Sequence, residues 1–376
     1  MSNKKTIGIA TWPGTGNYGT TLQAFALIRF LSNQGYKCKL INEFDFNYFG
    51  KKQYIKEILR KTGLLDLKEE LSILKKANSK KYFKLRKFLR AYVPQEFIET
   101  YPEYHRLLNE YDLFCVGSDQ VWNAYHDFKP FFFLDFAKKT KRISYATSMG
   151  TKDFPEEYKN TIKDLLLKFD HISLRETTGK EAVSKLTGRK DVRTVLDPTF
   201  LLTASEWKDV AKDANIEIHI PEKYMLVYLI GNNPYYSKQV EDVKKQIGID
   251  NVVVIPALEN PSFEVSGATV YRFVAISEFI YLLEYASWVC TDSFHATALS
   301  INLNKNFTEF LRFKDSDKGS QNSRIYDILR SFGLEDRLYN RVCEIWGNRI
   351  DFTRPTEILN TLRKDSSEWL LNAIEN

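Results

Sequence analysis

The chain has 376 residues, 43% of them hydrophobic and 27% charged. That is material for two or three domains with ordinary cores, and it excludes a stapled mini-protein, a disordered chain and a membrane-embedded one. The 54 Lys and Arg against 48 Asp and Glu leave a net charge of +6, too mild to mark a nucleic-acid partner. The excess is local: residues 51 to 90 hold 14 basic and 4 acidic side chains, so this stretch carries +10 and the remainder −4. Cys38, Cys115, Cys290 and Cys343 are far apart with no C-x-x-C pair, which disfavours both a disulfide framework and a zinc site. The N-terminal residues run straight into a strand-like segment too short for a signal-peptide core. No stretch approaches the ~18 apolar residues of a spanning helix, and a reducing cytoplasm is expected.

Short apolar runs alternate with longer helix-like segments, the pattern of a parallel sheet with helical crossovers. Strands are expected at Thr6–Thr11, Cys38–Asn42, Leu113–Gly117, Arg142–Ala146, His171–Ser173 and Arg193–Leu196. Between the first two, Leu22, Phe25, Ala26, Arg29, Phe30 and Asn33 recur at three- and four-residue spacing, predicting a helix over Thr20–Gln34 that stops at Gly35. Residues 51–92 break the alternation. Ile55, Ile58, Leu59, Leu71, Leu74, Phe83, Phe88 and Leu89 lie at helical intervals among lysines, which reads as an inserted helical pair with a basic exterior. An ordinary solvated face explains that charge, and so does contact with anionic lipid headgroups.

After a hinge near Asn215–Glu222 a second alternation begins, with strands expected at Tyr224–Ile230, Val252–Pro256, Val270–Phe273, Trp288–Cys290 and Asn306–Phe310. The expected fold is therefore α/β, with two doubly wound Rossmann-like domains facing a cleft. The domains are 1–214, carrying the insertion at about 51–92, then 215–354. Residues 355–376 form an amphipathic helix packed on one of them.

Gly14, Gly16 and Gly19 spell G-x-G-x-x-G between the first strand and helix, the dinucleotide fingerprint taken literally. Trp12 and Pro13 lengthen the turn, and the pattern alone is weak. Its physical content is a close backbone approach and a helix N-terminus near Thr20 that presents N–H groups to an anion.

The segment Asn17-Tyr18-Gly19-Thr20-Thr21-Leu22-Gln23-Ala24-Phe25-Ala26-Leu27 resembles the N-terminal signature of the polysaccharide pyruvyl transferase family. Four more motifs follow in order: Val116 to Asn123 (VGSDQVWN), Ser173 to Glu176 (SLRE), Val195 to Leu202 (VLDPTFLL) and Cys290 to Thr297 (CTDSFHAT). The resemblance runs from about Ile7 to Arg330 and implies a GT-B-like architecture. It also implies transfer of a pyruvyl group from phosphoenolpyruvate onto two hydroxyls of one hexose, giving a cyclic ketal and phosphate. The acceptor is expected to be galactose-like, with a polyprenyl carrier compatible with the basic segment 51–90 and placing the protein at the inner face of the membrane. No cofactor beyond the donor is implied.

The chemistry needs cations for a donor bearing a carboxylate and a phosphate, an acid to protonate its enol carbon, and acceptors for the hydroxyl protons. His295, at the start of a helix after the strand Trp288–Cys290, matches the family's histidine and titrates near neutrality, so proton transfer is assigned to it. Arg175 matches the family's arginine and suits a donor anion, although a salt bridge with Glu176 explains it as well. Asp119 matches an acidic position and would take an acceptor proton, with an Asx turn or helix cap as the alternative. Gly16, Asn17, Tyr18, Gly19 and Ser293 complete the expected substrate-binding set.

Where other branches of the family carry an arginine two residues before the histidine, this chain has Ser293. Arg312, Lys318 and Arg324 are the candidate replacements, and Arg324 is preferred because it opens a helix. No nucleophile elbow surrounds Ser293, which argues against a hydrolase. Asp315-Ser316-Asp317 reads as solvated loop, and no metal is expected. Trp12, Trp122 and Tyr125 could stack on sugar rings. The alternatives are a nucleotide-sugar glycosyltransferase of the same layout and a noncatalytic carbohydrate-binding protein.

Overall fold

A computed structural model describes residues 4–12, 16–46, 79–257, 263–317, 320–340, 342 and 344–376. The chain divides into two compact units: Met1–Gly16, Gln23–Pro198 and Ser367–Asn376 form the first, Asn17–Leu22 and Thr199–Ser366 the second.

In the first unit, β1 (Thr6–Ala10), β2 (Lys37–Ile41), β3 (Gln95–Glu96), β4 (Leu113–Val116) and β5 (Lys141–Ser144) form one sheet in the order β3-β2-β1-β4-β5, every pair parallel. Ile7 stands opposite both Cys38 and Leu113. The central strands read as unbroken apolar runs because helices cover both faces, and all four residues of β4 are buried. Helix α1 (Tyr18–Asn33) links β1 to β2, then α2 (Ser79–Tyr92) and α3 (Tyr101–Glu110) lead to β3 and β4. The first helix begins two residues before the sequence expectation because Asn17 caps it, its Oδ1 accepting the Gly19 amide at 2.9 Å. A two-stranded parallel ladder, β6 (Ser173–Leu174) with β7 (Arg193–Thr194), joins β5 through an Ile143–His171 bridge. Helices α4 (Lys159–Leu166) and α5 (Thr177–Thr187) accompany it. Of the expected inserted helical pair, α2 is the described part; residues 47–78 lie outside the described residues.

The second unit repeats the plan. Strands β8 (Met225–Tyr228), β9 (Val252–Val254), β10 (Thr269–Val270), β11 (Trp288–Thr291) and β12 (Phe307–Glu309) are ordered β10-β9-β8-β11-β12, again all parallel. Its helices are α6 (Ala204–Ala211), α7 (Tyr236–Ile247), α8 (Ile276–Tyr285), α9 (Phe294–Asn302) and α10 (Ser323–Phe332), and α11 (Thr353–Glu375) closes the chain. In each sheet the winding reverses beside the strand that comes first in sequence, between β1 and β4 and between β8 and β11. Such a reversal splays the loops at the carboxyl ends of the two strands apart and leaves room for a ligand.

Cys38, Cys115 and Cys290 are buried free thiols, and burial pushes all three above their ordinary pKa, Cys38 up to about 12. Among the described residues no helix is long and apolar enough to cross a membrane.

Candidate functional site

At the reversal in the second sheet, β11 runs out through Asp292 into Ser293, which caps α9: its hydroxyl accepts the Ala296 amide at 3.5 Å and its carbonyl the Thr297 amide at 2.9 Å. His295 follows in the first turn of α9 and is 7% exposed. Its imidazole rests on Gly19 of α1. A β-carbon on Gly19 would stand 2.1 Å from His295 Nδ1 and 2.8 Å from Cε1, so only a bare α-carbon fits beneath the ring. The start of α1 is held there by Tyr18, whose hydroxyl donates to the Val274 carbonyl at 2.9 Å and whose ring stacks on Phe279 at 4.7 Å. Two helix N-termini therefore flank one imidazole, and neither has an acidic residue in its first turn. That arrangement favours an anion.

Asp292 organises the same end of the sheet. Its Oδ1 accepts the Ile230 amide at 2.7 Å; its Oδ2 accepts the Gly231 amide at 2.7 Å and the Tyr236 hydroxyl at 2.6 Å. The exits of β8 and β11 are thereby fixed to one another. On β12, Glu309 is wholly buried and bonded to Thr297 of α9. The Thr297 hydroxyl has one proton, which it donates to the Ser293 carbonyl at 2.9 Å, so the bond to Glu309 is satisfied when the carboxyl is protonated and donates in turn. Burial pushes the Glu309 carboxyl well above its ordinary pKa, the Thr297 bond opposes this, and Asp292 adds to it. The order Glu309 to Thr297 to Ser293 then ties β12 to the cap that presents His295.

In the first unit, Arg175 follows β6 with its side chain only 1% exposed. Its Nη1 donates to Asp197 Oδ2 at 2.8 Å and to Ser118 Oγ at 3.3 Å, Nε donates to Glu176 Oε1 at 3.0 Å, and Nη2 stands 3.7 Å from Asp119 Oδ1. Burial alone would lower its pKa, but Glu176, Asp197 and Asp119 outweigh it and hold the guanidinium above its ordinary value. One cation among three carboxylates ties together the exits of β4, β6 and β7. Asp119 has φ +68, and its carbonyl accepts the amides of Val121 at 2.8 Å and Ser148 at 2.9 Å, which hold the strained turn. Its carboxylate, 13% exposed, also accepts the Gln120 amide at 2.9 Å.

Other sequence-derived candidates separate clearly. Arg324, in the first turn of α10, donates through Nε to the Gln321 carbonyl at 3.3 Å and through Nη2 to Gln321 Oε1 at 3.0 Å. Asp315 accepts from Asn322 at 2.9 Å and from the Tyr326 hydroxyl at 2.8 Å, so its carboxylate anchors a loop. Trp122 is core, 1% exposed and stacked on Phe133, with its indole N–H donating to the Phe132 carbonyl; no ring face is left for a sugar. Trp12 is half-buried against Phe132, and Tyr125 is exposed. Gly16 has φ +121, a backbone shape that favours glycine. Gly14 and Lys318 lie outside the described residues. Asp292, Gly231 and Glu309 were not singled out from sequence. Asp292 stands inside the CTDSFHAT motif, and that was the one available signal.

Two all-parallel sheets, each winding both ways from its first strand, define a GT-B-like protein built of two Rossmann-like units. UDP-N-acetylglucosamine 2-epimerase from Neisseria meningitidis, solved with UDP-N-acetylglucosamine bound, is similar at 11% identity over 98% of this chain and 100% of that one, with a TM-score of 0.51. A Listeria monocytogenes protein assigned as a UDP-N-acetylglucosamine 2-epimerase is similar at 11% identity over 99% and 96%, with a TM-score of 0.52. At these identities the likeness concerns fold alone. No curated protein matches the chain. The sequence model of the polysaccharide pyruvyl transferase family matches residues 17–310, and the chain belongs to that family.

Proposed function

We propose that the protein transfers the pyruvyl group of phosphoenolpyruvate onto two hydroxyls of one galactose-like hexose, forming a cyclic ketal and releasing phosphate. Family membership supports the reaction class, and the observation that carries the site is His295 seated on Gly19 between two helix N-termini. The donor's enol methylene takes up a proton, which leaves C2 electrophilic for the first hydroxyl. The C2–O bond to phosphate then breaks and the second hydroxyl closes the ring. Of the two hydroxyl protons, one is accounted for on the new methyl carbon and the other on phosphate.

His295 delivers the proton to the methylene, a general-acid role open to an imidazole. The amides at the starts of α1 and α9 favour the donor's negative charge. Asp119 is assigned an acceptor proton. Arg175, enclosed by carboxylates, acts by holding the Asp119 loop in shape. The donor is a substrate and no further cofactor is invoked. A polyprenyl-linked acceptor at the cytoplasmic membrane face is consistent with the basic stretch 51–90, and no nucleic acid is involved.

The test is phosphate release from phosphoenolpyruvate with galactose-containing acceptors, followed by proton NMR for a new ketal methyl signal. His295→Ala should lower the rate by about 10²–10⁴-fold, the usual worth of general acid–base catalysis. Unchanged release in that variant removes the role of His295. If wild-type protein is stabilised by UDP-sugars and releases nothing from phosphoenolpyruvate, the reading gives way to nucleotide-sugar transfer.

A further inference from the structure

The loop that delivers His295 reads Thr291-Asp292-Ser293-Phe294-His295 and contains no lysine or arginine. A donor that is both a carboxylate and a phosphate is held more firmly where a guanidinium adds to the helix amides. The second unit places one guanidinium on this loop from outside. Strand β12 leaves the sheet beside β11, the Phe310 amide donating to the Thr291 carbonyl at 2.7 Å, and two residues later Arg312 turns back onto Asp292. Its Nη2 donates to the Asp292 carbonyl at 3.0 Å and its Nε to Asp292 Oδ2 at 3.4 Å.

Three features distinguish this contact from a closed ion pair. The Asp292 carboxylate is already engaged at shorter range by the Ile230 and Gly231 amides and the Tyr236 hydroxyl, all between 2.6 and 2.7 Å, so Arg312 is its most distant donor. Both bonds lie along one edge of the guanidinium, Nε and Nη2, and Nη1 makes no hydrogen bond among the described residues. The Arg312 side chain is 19% exposed while that of Asp292 is wholly buried, so the pair opens to solvent from the arginine side. Gly231 makes this possible: a β-carbon there would stand 2.4 Å from Arg312 Cγ and 2.8 Å from Asp292 Oδ2.

We propose that Arg312 is the donor-binding cation of the second unit. Asp292 fixes the plane of the guanidinium, Gly231 admits its stem, and the Nη1 edge takes an anionic group of phosphoenolpyruvate. The assignment rests on the pyruvyl-transfer reading and selects Arg312 over Arg324, whose Nε and Nη2 are spent on Gln321 of its own segment. An oriented guanidinium with one edge committed and one edge available is suited to a planar or tetrahedral oxyanion.

The experiment measures phosphoenolpyruvate binding to full-length protein by calorimetry, with inorganic phosphate as competitor. Arg312→Gln, which can still donate toward Asp292, should weaken binding about tenfold to a hundredfold, the range expected for loss of a charge-assisted bond. Arg312→Lys should fall between, since it keeps charge and loses the fork. In parallel, wild-type protein is treated with phenylglyoxal, and modification at residue 312 is followed by peptide mass spectrometry. Saturating phosphoenolpyruvate should slow it severalfold, a readout that does not depend on any variant folding. Binding by wild type with Arg312→Gln unaffected, or labelling of Arg312 that the donor does not slow, overturns this assignment and leaves pyruvyl transfer standing. Weakening by Arg324→Gln alone would do the same. No phosphoenolpyruvate binding by wild type overturns both.

Discussion

Gly19 is constrained by its neighbour, not by its own backbone, since its φ is not positive and the obstacle is the imidazole 2.1 Å from where a β-carbon would be. Gly19→Ala should therefore move His295 or the start of α1. A displacement of about 1 Å near reacting atoms costs on the order of 10²-fold in rate. Steady-state phosphate release checks this, and a variant with wild-type turnover would show that the ring position is unimportant. Glu309 gives a prediction of another kind. Its ordinary pKa is 4.5 and burial raises it well above that in the fold, so the native state keeps a proton that the unfolded chain releases. The associated stability is complete below about pH 4.5 and is lost as pH rises toward the folded value. Glu309→Gln keeps a donor for Thr297 without titrating. It should melt near wild type at pH 4 and above it at pH 8, and a gap that fails to widen with pH would mean the carboxyl is not held neutral. At this scale the sequence made His295, Ser293 and the glycines visible as motif letters. It could not show that the third of these glycines seats an imidazole, because that depends on a residue far away in the chain.

The strands were legible as elements because buried parallel strands are short apolar runs, and these are distinctive between polar helices. Strand β3 was not: Gln95 and Glu96 are polar and enter the sheet by pairing with Leu40 and Ile41, a tertiary cause with no local periodicity. Arg175 shows the same limit. Its partner Glu176 adjoins it, but Asp197 and Asp119 are distant in sequence, and together they make this arginine a tie between three strand exits. Arg175→Met should cost about 3–5 kcal/mol in chemical denaturation, because removing one partner leaves buried carboxylates uncompensated. A loss under about 1 kcal/mol, the worth of an exposed pair, would show that those carboxylates are better solvated than their burial implies.

Across the whole molecule, two units share one winding plan. That plan was readable from the twofold recurrence of strand and helix patterns, and it places the loops of interest at predictable strand ends. The closing helix was also expected, but its attachments were not. Lys5 donates to the Ile374 carbonyl at 2.7 Å, Tyr36 bonds Glu375, and Leu370, Ala373 and Ile374 are at most 3% exposed in the first unit. Removing Ser367–Asn376 should destabilise that unit by several kcal/mol, since each fully buried aliphatic contributes about 1.5–3 kcal/mol. Calorimetry of the truncated chain with an unshifted transition would contradict this.

The sealed thiols have a practical corollary. Cys38 lies in β2, Cys115 in β4 and Cys290 in β11, so the first sheet holds two thiols and the second one, all shut from water and kept protonated near neutrality. Alkylating reagents need thiolate and access. In a Cys343→Ser background, peptide-resolved alkylation would therefore time the opening of each half separately, without any engineered label.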